Sequence, residues 1–266
     1  MKLTPTQLKD FDDVGYIVIE NCFSDAEMAV LRAEAESIYK TKRKEVWFEK
    51  NGAPRTAFAA HTYNDAFGIL GRHPRLITPL EQFFGEPVYM HQFKINAKAP
   101  FDGDVWQWHQ DYGTWKRDDG MPEARAMNIS VFLDEVYPYN GPLMFIPKSH
   151  KRGTLAAGHD LGTTSYPLWT LDNDVITQLV AEGGIVAPTG KPGTVLMFHG
   201  NLVHASPPNI TPYPRKIVYL TLCAVSNHIT QFKREEWIAH RDFTPIKACD
   251  DNALLEYARR YRQAAE

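Results

Sequence analysis

The chain contains few cysteines, no long apolar run and little excess charge. Its three cysteines, Cys22, Cys223 and Cys249, are odd in number and far apart, so they form neither a zinc pattern nor a disulfide framework and indicate a reducing, cytoplasmic setting. A net charge of −3 gives no electrostatic basis for binding nucleic acid. No stretch approaches the roughly 20 apolar residues of a membrane span. The first residues lack the apolar core of a secretory signal, so we expect neither export nor membrane attachment.

The length and composition are those of one globular domain. The chain has 266 residues, of which 44% are hydrophobic, and it lacks Gly- or Ser-rich linkers and internal repeats. We expect a single domain over residues 1–266. In this domain, N-terminal helices (1–86) pack on a β core (87–227), and a helical segment (228–266) follows.

Local signals place three helices before residue 87. Thr4 followed by Pro5 is typical of a helix start, and this short helix should end near Gly15. Ser24 and Glu27 form a capping box that opens a second helix. A third helix is predicted over 73–84.

Short β-prone runs recur along the chain and are separated by Gly, Pro and Asn. They cover residues 16–19, 88–97, 105–109, 127–133, 143–146, 194–199 and 217–225. This pattern predicts a mainly β fold with flanking helices, built around a cupin-like jelly roll, the double-stranded β-helix.

Two histidines and an aspartate are candidates for a metal site. In an extended strand end, residues two apart share a face, so His109 and Asp111 can chelate one ion while Gln110 points elsewhere. With one distant histidine they give the 2-His-1-carboxylate pattern of non-haem Fe(II) oxygenases. A His-x-Asp triplet alone is weak evidence, because it occurs by chance in many chains. The alternative is that His109 is a surface histidine and Asp111 a capping aspartate. His199 and His204 compete for the distal position, and spacing leaves both open.

One predicted strand has a polar face. Gln92, Lys94 and Asn96 alternate with apolar or aromatic neighbours in 88–97. Three polar side chains on one face inside a β core are costly unless they line a polar cavity, and Lys94 would need an anion nearby. The alternative is an edge strand whose polar face meets water.

A second strand begins with an arginine. Arg215 shares a strand face with Ile217 and Tyr219. An inward-facing arginine needs a carboxylate, to which it can donate two parallel hydrogen bonds.

Taken together, these residues resemble the phytanoyl-CoA dioxygenase family of Fe(II)/2-oxoglutarate oxygenases, and within it the ectoine hydroxylases. The similarity extends from the N-terminal helices to about Asn227. It rests on the motifs His91-Gln92-x-Lys94-x-Asn96, Trp108-His109-x-Asp111-x-x-Thr114-Trp115, Asp119-Gly120-Met121-Pro122, Asn140-Gly141-Pro142-Leu143-Met144, Ile146-Pro147-x-Ser149-His150, Val186-Ala187-Pro188-Thr189-Gly190-Lys191-Pro192-Gly193 and His204-x-Ser206 with Asn209-Ile210-Thr211-Pro212-x-Pro214-Arg215.

The resemblance implies a hydroxylase that uses Fe(II), the cosubstrate 2-oxoglutarate and O2, acts on a small molecule and forms a homodimer. It selects His204 over His199 as the distal ligand. The implied site residues are His109, Asp111 and His204 for iron, Lys94, Asn96, Ser206 and Arg215 for 2-oxoglutarate, and Gln92 and Trp115 for substrate. Related halogenases replace the carboxylate ligand by a small residue, so Asp111 indicates hydroxylation.

The residues that the resemblance assigns to iron and 2-oxoglutarate match the family, whereas residues on the substrate side differ from it. Ectoine hydroxylases carry a glutamate and a histidine where this chain has Gly113 and Lys116, and a phenylalanine where it has Tyr219. We expect Tyr219 to line the substrate pocket with Gln92 and Trp115. The substrate is then a small polar molecule: an amino acid, an amino-acid derivative or a compatible solute such as ectoine. Trp106 and Trp108 are expected in the core, on the strand face opposite His109.

Two other classes of protein use similar residues. A zinc-dependent hydrolase needs the same three ligands and an open water site. A non-catalytic cupin-like binding module would hold the histidines as satisfied core residues. In neither class would Lys94 and Arg215 have a dicarboxylate to bind.

Overall fold

The computed structural model describes residues 1–164 and 166–263 and contains two antiparallel sheets. In spatial order, the larger sheet consists of β1 (Tyr16–Ile19), β10 (Val195–His199), β6 (Ala126–Phe132), β12 (Arg215–Ala224), β4 (Val88–Lys98), β3 (Pro54–Phe58) and β2 (Val46–Phe48). The smaller sheet consists of β7 (Met144–Phe145), β11 (His204–Ser206), β5 (Trp106–His109), β9 (Leu168–Thr170) and β8 (Gly158–Asp160). The predicted jelly-roll core is confirmed.

Seven α-helices flank the sheets within the described part of the chain. They are α1 (Pro5–Val14), α2 (Asp25–Tyr39), α3 (Asp65–Leu70), α4 (Pro74–Phe84), α5 (Asp111–Asp118), α6 (Asn173–Gly183) and α7 (Ala253–Gln263). The predicted starts are confirmed, because Thr4 and Ser24 each form a complete capping box. Gly15 and Gly85 end α1 and α4 in the left-handed conformation.

The central strand β12 separates the main apolar core from the interior of the barrel. Val218, Leu220 and Leu222 belong to the large cluster that also contains residues of α2 and α4. Because side chains alternate along a strand, Arg215 and Tyr219 face the other way. The two faces of one strand thus carry the core and the polar interior.

The polar strand β4 is also central. It lies between β12 and β3, so the edge-strand alternative is wrong. Gln92 and Asn96 are buried. Its polar face is therefore enclosed by protein.

The two ends of the chain differ from the predicted segments. Residues 1–86 supply β1, β2 and β3 as well as helices, and residues 228–252 form no helix or strand. The predicted C-terminal helix is therefore limited to α7, and its last predicted residues, 264–266, lie outside the described part. Tyr257 in α7 donates to Glu34 of α2 (3.3 Å), a contact that ties the C-terminal region to the N-terminal one. No helix in the described ranges is long and apolar enough to cross a bilayer.

Candidate active site

The three metal-ligand candidates converge from three elements. His109 ends β5, and His204 begins β11 directly opposite it in the antiparallel register. Asp111 is the first residue of α5, not a strand residue as expected. Gln110 is extended between them (φ −119°, ψ 126°), which keeps Asp111 on the side of His109.

The ligand atoms of these residues lie close enough to hold one ion. One ligand atom from each residue lies within 4.8 Å of the others. Asp111 Oδ1 is 3.6 Å from His109 Nε2, and Asp111 Oδ2 is 3.5 Å from His204 Nε2. This separation and donor set suit a divalent transition metal with open positions.

Backbone carbonyls fix the tautomer of both imidazoles. His109 Nδ1 lies 2.6 Å from the Gln107 carbonyl, and His204 Nδ1 lies 2.9 Å from the Leu202 carbonyl. A carbonyl only accepts, so each Nδ1 carries the proton and each Nε2 presents its lone pair to the centre. This is the outer hydrogen bond that orients metal-binding histidines.

The surroundings of His204 and Asp111 favour the protonation states in which these side chains bind a metal. Burial and the neighbouring His109 lower the pKa of His204 to about 3, so its imidazole is neutral at physiological pH. Burial raises the pKa of Asp111, but His204, His109 and Lys94 together outweigh it and hold that pKa well below its usual range. A neutral imidazole and an ionised carboxylate are the forms that bind metal.

His199 does not take part in this cluster. Its Nδ1 accepts a hydrogen bond from the Asn201 amide (2.9 Å), and its ring lies 5.3 Å from that of His150. The geometry therefore brings His204, not His199, to His109 and Asp111.

A cationic end of the cavity adjoins the triad. Lys94, Asn96, Ser206 and Tyr219 line the same cavity as the three ligands. Lys94 Nζ lies 5.6 Å from the centre of the Tyr219 ring, and burial lowers the pKa of its ammonium. Behind Tyr219, Arg215 places Nη1 3.5 Å from the tyrosine hydroxyl. Its buried Nε has no hydrogen-bond partner among the described residues.

The substrate candidates are placed differently. Tyr219 lines the cavity, between Lys94 and Arg215. Gln92 is buried and donates to the Ile238 carbonyl (3.2 Å), and it is not among the cavity-lining residues. Trp115 is fully buried in a separate aromatic cluster, with its ring 5.5 Å from His91. The expected Trp115 wall is therefore absent from this cavity.

Trp106 lines the cavity instead, contrary to the expected core position. The cause is an irregularity in the β5–β11 register: His204 opposes His109, but Ser206 opposes Trp106 instead of Gln107. The extra residue turns Trp106 towards the interior. A strict two-residue alternation from His109 misses this shift.

Sequence reasoning also missed a buried ion pair beside the cavity. Arg234 donates from Nε (2.9 Å) and Nη2 to the carboxylate of Asp119, which is fully buried and lies 3.3 Å from His91 Nε2. Arg234 also lies close to Tyr166, whose ring is 5.2 Å from that of Trp106. Arg234 lies beyond the predicted similarity, so no motif marked it.

The space beside Gly113, where a side chain would begin, is taken by Arg117. A Cβ there would lie 2.5 Å from Arg117 Nη1, one helical turn further along α5. Arg117 is fixed by a hydrogen bond to the Leu155 carbonyl (3.0 Å), and Lys116 is exposed. The guanidinium of Arg117 thus occupies the space that a side chain at position 113 would take.

Comparison with known proteins assigns the family. Residues 11–217 match the phytanoyl-CoA dioxygenase (PhyH) family. The chain belongs to this family. It is similar to the ectoine dioxygenase of Bordetella bronchiseptica (35% identity over 96% of this chain and 88% of the relative). It is also similar to the L-proline trans-4-hydroxylase of Streptomyces griseoviridis (31% identity, 90% of this chain and 94% of the relative).

Comparison with solved structures supports the same family assignment. EctD from S. alaskensis in complex with 2-oxoglutarate and 5-hydroxyectoine superimposes with a TM-score of 0.83 at 34% identity, over 93% of this chain and 87% of that one. The same enzyme with bound Fe gives 0.82. This PhyH protein is therefore a 2-oxoglutarate-dependent, iron-dependent dioxygenase. The zinc-hydrolase and binding-module alternatives are wrong.

Proposed function

We propose that this dioxygenase hydroxylates a small polar molecule that carries a carboxylate. The candidates are an amino acid, an amino-acid derivative or a compatible solute. The reaction couples C–H hydroxylation by O2 to decarboxylation of 2-oxoglutarate to succinate and CO2. The observation that carries the proposal is the cavity itself, in which a 2-His-1-carboxylate cluster adjoins the ammonium of Lys94, with the guanidinium of Arg215 next to the cavity-lining Tyr219.

His109, Asp111 and His204 would hold the iron. Their Nε2 lone pairs and ionised carboxylate face one centre, and the backbone carbonyls of Gln107 and Leu202 prevent the rings from turning away. Bound iron supplies the oxygen-activating redox chemistry. The protein's own part is to hold three ligands and leave the remaining positions open.

The cationic end would bind 2-oxoglutarate. The Nε of Arg215, which has no partner in the described ranges, suits the distal carboxylate of the cosubstrate, and Lys94 lines the same cavity as Tyr219 and the triad. Asn96 and Ser206 add polar contacts from the two sheets. We therefore propose that Tyr219 contacts the cosubstrate rather than the substrate, because its hydroxyl lies 3.5 Å from Arg215 Nη1.

The substrate side would be formed by Trp106, Tyr166 and Arg234. Asp119 binds Nε and Nη2 of Arg234, and the guanidinium lies close to Tyr166, so a cation and a phenol stand together where a substrate carboxylate could bind. Trp106 adds an aromatic wall beside the triad. We propose that Gln92 acts through the C-terminal segment, which it holds at Ile238, rather than by direct contact with substrate.

The relatives narrow the substrate class. Ectoine and L-proline, the substrates in the names of two relatives, are both small cyclic molecules with a carboxylate. Arg117 in the space beside Gly113 reverses the local charge relative to ectoine hydroxylases. We therefore expect a proline-like or N-acyl amino acid to be turned over faster than ectoine.

One experiment tests the activity. Purified protein with Fe(II) and 2-oxoglutarate under anaerobic conditions should develop the weak visible charge-transfer band of the chelate. On admission of O2, succinate should form, and its rate should rise with the correct member of a panel of amino acids, N-acyl amino acids and ectoine. Without the band and without succinate for any substrate, the proposal fails. Ectoine as the fastest substrate would refute the expected preference.

A further inference from the structure

Trp106, the aromatic wall beside the triad, is in contact with a buried arginine. Arg55 in β3 is 2% exposed, and its guanidinium carbon lies 4.5 Å from the centre of the Trp106 ring. Arg55 itself is not among the residues that line the cavity. A guanidinium over an indole at this distance gains both stacking and cation–π attraction. Arg55 therefore supports the wall without lining the cavity.

A buried carboxylate anchors this arginine. Arg55 Nη1 donates to Glu49 Oε1 at 2.7 Å, and the Glu49 side chain is only 7% exposed. The same Nη1 lies 3.9 Å from Asp104 Oδ2, and Nε and Nη2 have no hydrogen-bond partner among the described residues. The close contacts that orient the guanidinium are therefore the Glu49 carboxylate and the indole of Trp106.

The same carboxylate also holds the backbone that leads to Trp106. The N–H of Asp104, two residues before the tryptophan, donates to Glu49 Oε1 at 3.3 Å. Glu49 begins the turn of the β2–β3 hairpin, and Arg55 follows that turn in β3. The Glu49–Arg55 pair thus reaches both the backbone and the ring of Trp106 from a hairpin that carries none of the triad.

Trp106 needs such support because of its place in the sheet. It lies at the irregularity of the β5–β11 register, where regular strand pairing no longer dictates the direction of a side chain. The other groups around the indole are the Tyr166 ring, tilted by 53° at 5.2 Å, and Lys94 Nζ, 6.0 Å from the ring centre. Both belong to the proposed substrate and cosubstrate sides, whereas Arg55 stands outside them.

We infer that Arg55 is a positioning residue for Trp106, which fixes the aromatic wall and thereby determines how tightly the substrate is held. The part that concerns the substrate rests on the proposed function. Without the guanidinium the indole has more rotamers open to it, and ordering the ring then uses part of the binding energy of the substrate. Loss of Arg55 should therefore raise the KM of the substrate more than it lowers kcat. Binding of 2-oxoglutarate should change little, because Arg55 does not line the cavity.

Arg55→Met keeps an apolar stem and removes the guanidinium, and its first readout needs no substrate. The near-UV circular dichroism of Trp106 is the difference between a protein and the same protein carrying Trp106→Phe. This difference should fall by roughly half or more in the Arg55→Met background, as a double-mutant cycle of two contacting residues requires. An unchanged Trp106 signal would overturn the inference.

The second readout is succinate formation with L-proline and with ectoine as probes. For a probe that stimulates the wild type, Arg55→Met should raise KM roughly tenfold or more and change kcat by less than about threefold. The 2-oxoglutarate affinity, titrated by the charge-transfer band, should stay within about threefold of the wild type. A loss in kcat with KM unchanged would overturn the inference, and so would a loss of 2-oxoglutarate binding as large as the rise in KM. If neither probe stimulates the wild type, the Trp106 signal decides.

Two further variants keep the test decisive. Glu49→Gln weakens the anchor of Arg55 and should change the Trp106 signal in the same direction by less; if Arg55→Met does not fold, a wild-type signal in Glu49→Gln overturns the inference. Arg43→Met is the matched control, since Arg43 also pairs with a carboxylate (Glu45, 3.4 Å) and lies over a ring (Tyr63, 3.9 Å), but neither Arg43 nor Tyr63 lines the cavity. It should behave as wild type, and equal effects of Arg43→Met and Arg55→Met would contradict a specific role for Arg55. A wild-type protein without band or succinate would instead refute the proposed function, and the Trp106 signal would still decide whether Arg55 positions the ring.

Discussion

Arg215 is a buried arginine whose charge is not neutralised by a nearby carboxylate among the described residues. It is 1% exposed, Nη1 reaches the Tyr219 hydroxyl at 3.5 Å, and Nε has no partner there. A buried guanidinium in this state is costly unless a ligand supplies the carboxylate. Its environment is that of a binding group rather than of a structural ion pair.

Replacing this arginine should separate cosubstrate binding from metal binding. Arg215→Ala should weaken 2-oxoglutarate by roughly 30-fold or more, about 2 kcal/mol, the lower end for truncating one partner of a buried charge pair. Fe(II) affinity should change little, because Arg215 is not a ligand. Both constants follow from anaerobic titrations monitored by the charge-transfer band.

Lys216→Gln is the control for a general loss of positive charge. Lys216 is the next residue of β12, but it faces away from the cavity and pairs with Glu36 and Asp134. It should leave 2-oxoglutarate affinity unchanged. Equal loss of iron and 2-oxoglutarate in Arg215→Ala would contradict the assigned role.

Single residues show how far the sequence could predict this site. His109, Asp111, His204, Lys94 and Arg215 follow from residue type, strand alternation and motif order. Trp106 lines the cavity, contrary to expectation, because a one-residue irregularity opposite β11 inverts its face, and Trp115 in α5 is buried in a separate cluster. Such a shift depends on the partner strand, and no local pattern encodes it.

At the scale of elements, the turn before β10 depends on one glycine. Gly193 has φ +87°, and a Cβ there would overlap the Phe23 carbonyl oxygen. Gly193→Ala should therefore destabilise the fold by more than the roughly 1–2 kcal/mol of the left-handed conformation alone. Gly52→Ala is a matched control, since Gly52 has φ +90° and open space around its Cα. Urea unfolding measures both, and equal losses would show that the contact with Phe23 relaxes without cost.

The C-terminal segment is held to α5 by the Asp119–Arg234 pair. Asp119→Ala leaves the guanidinium without its carboxylate and should cost roughly 3–5 kcal/mol of unfolding free energy. Glu182→Ala removes a pair whose two side chains are each more than half exposed, and it should cost about 1 kcal/mol or less. If the same urea titration shows only a small loss of unfolding free energy for Asp119→Ala, the Arg234 guanidinium is hydrated in the variant.

Elements with local signals were predictable, and those defined by distant partners were not. The capping boxes at Thr4 and Ser24 involve residues three apart and mark their helices directly. The short strand β3 gains its place by pairing with β4, where Thr56 lies opposite Asn96, and the short strand β2 joins the sheet through β3. The hydrogen bonds of Asn128 in β6 have no local signal either, since their partners, Asp111 and Thr221, lie in α5 and β12.

At the scale of the whole molecule, buried histidines should make the protein sensitive to acid. Burial lowers the pKa of His61 to about 4 and that of His240 to about 3, and their rings lie 4.7 Å apart. Unfolded histidine titrates near 6.5, so below this pH the unfolded chain takes up protons that the folded chain refuses. Stability is therefore full above pH 6.5 and falls as the pH drops towards 4.

Urea titrations of the metal-free protein between pH 7.5 and 4.5 measure this loss. Each buried histidine should contribute up to about 1.4 kcal/mol per pH unit within the window. His240→Gln should flatten the slope by up to one proton. An unchanged slope in that variant would show that other groups cause the acid sensitivity.

The pairing of β1 with β10 has a consequence for biosynthesis. Residues 16–19 find their partners at 195–198, so β1 can join the sheet only after residue 198 has been made. Until then the apolar side of Ile17 has no strand to pair with. Such long-range pairing slows folding and leaves a sheet edge open to other chains. The nascent polypeptide is therefore most exposed to aggregation in the period between the synthesis of β1 and that of β10.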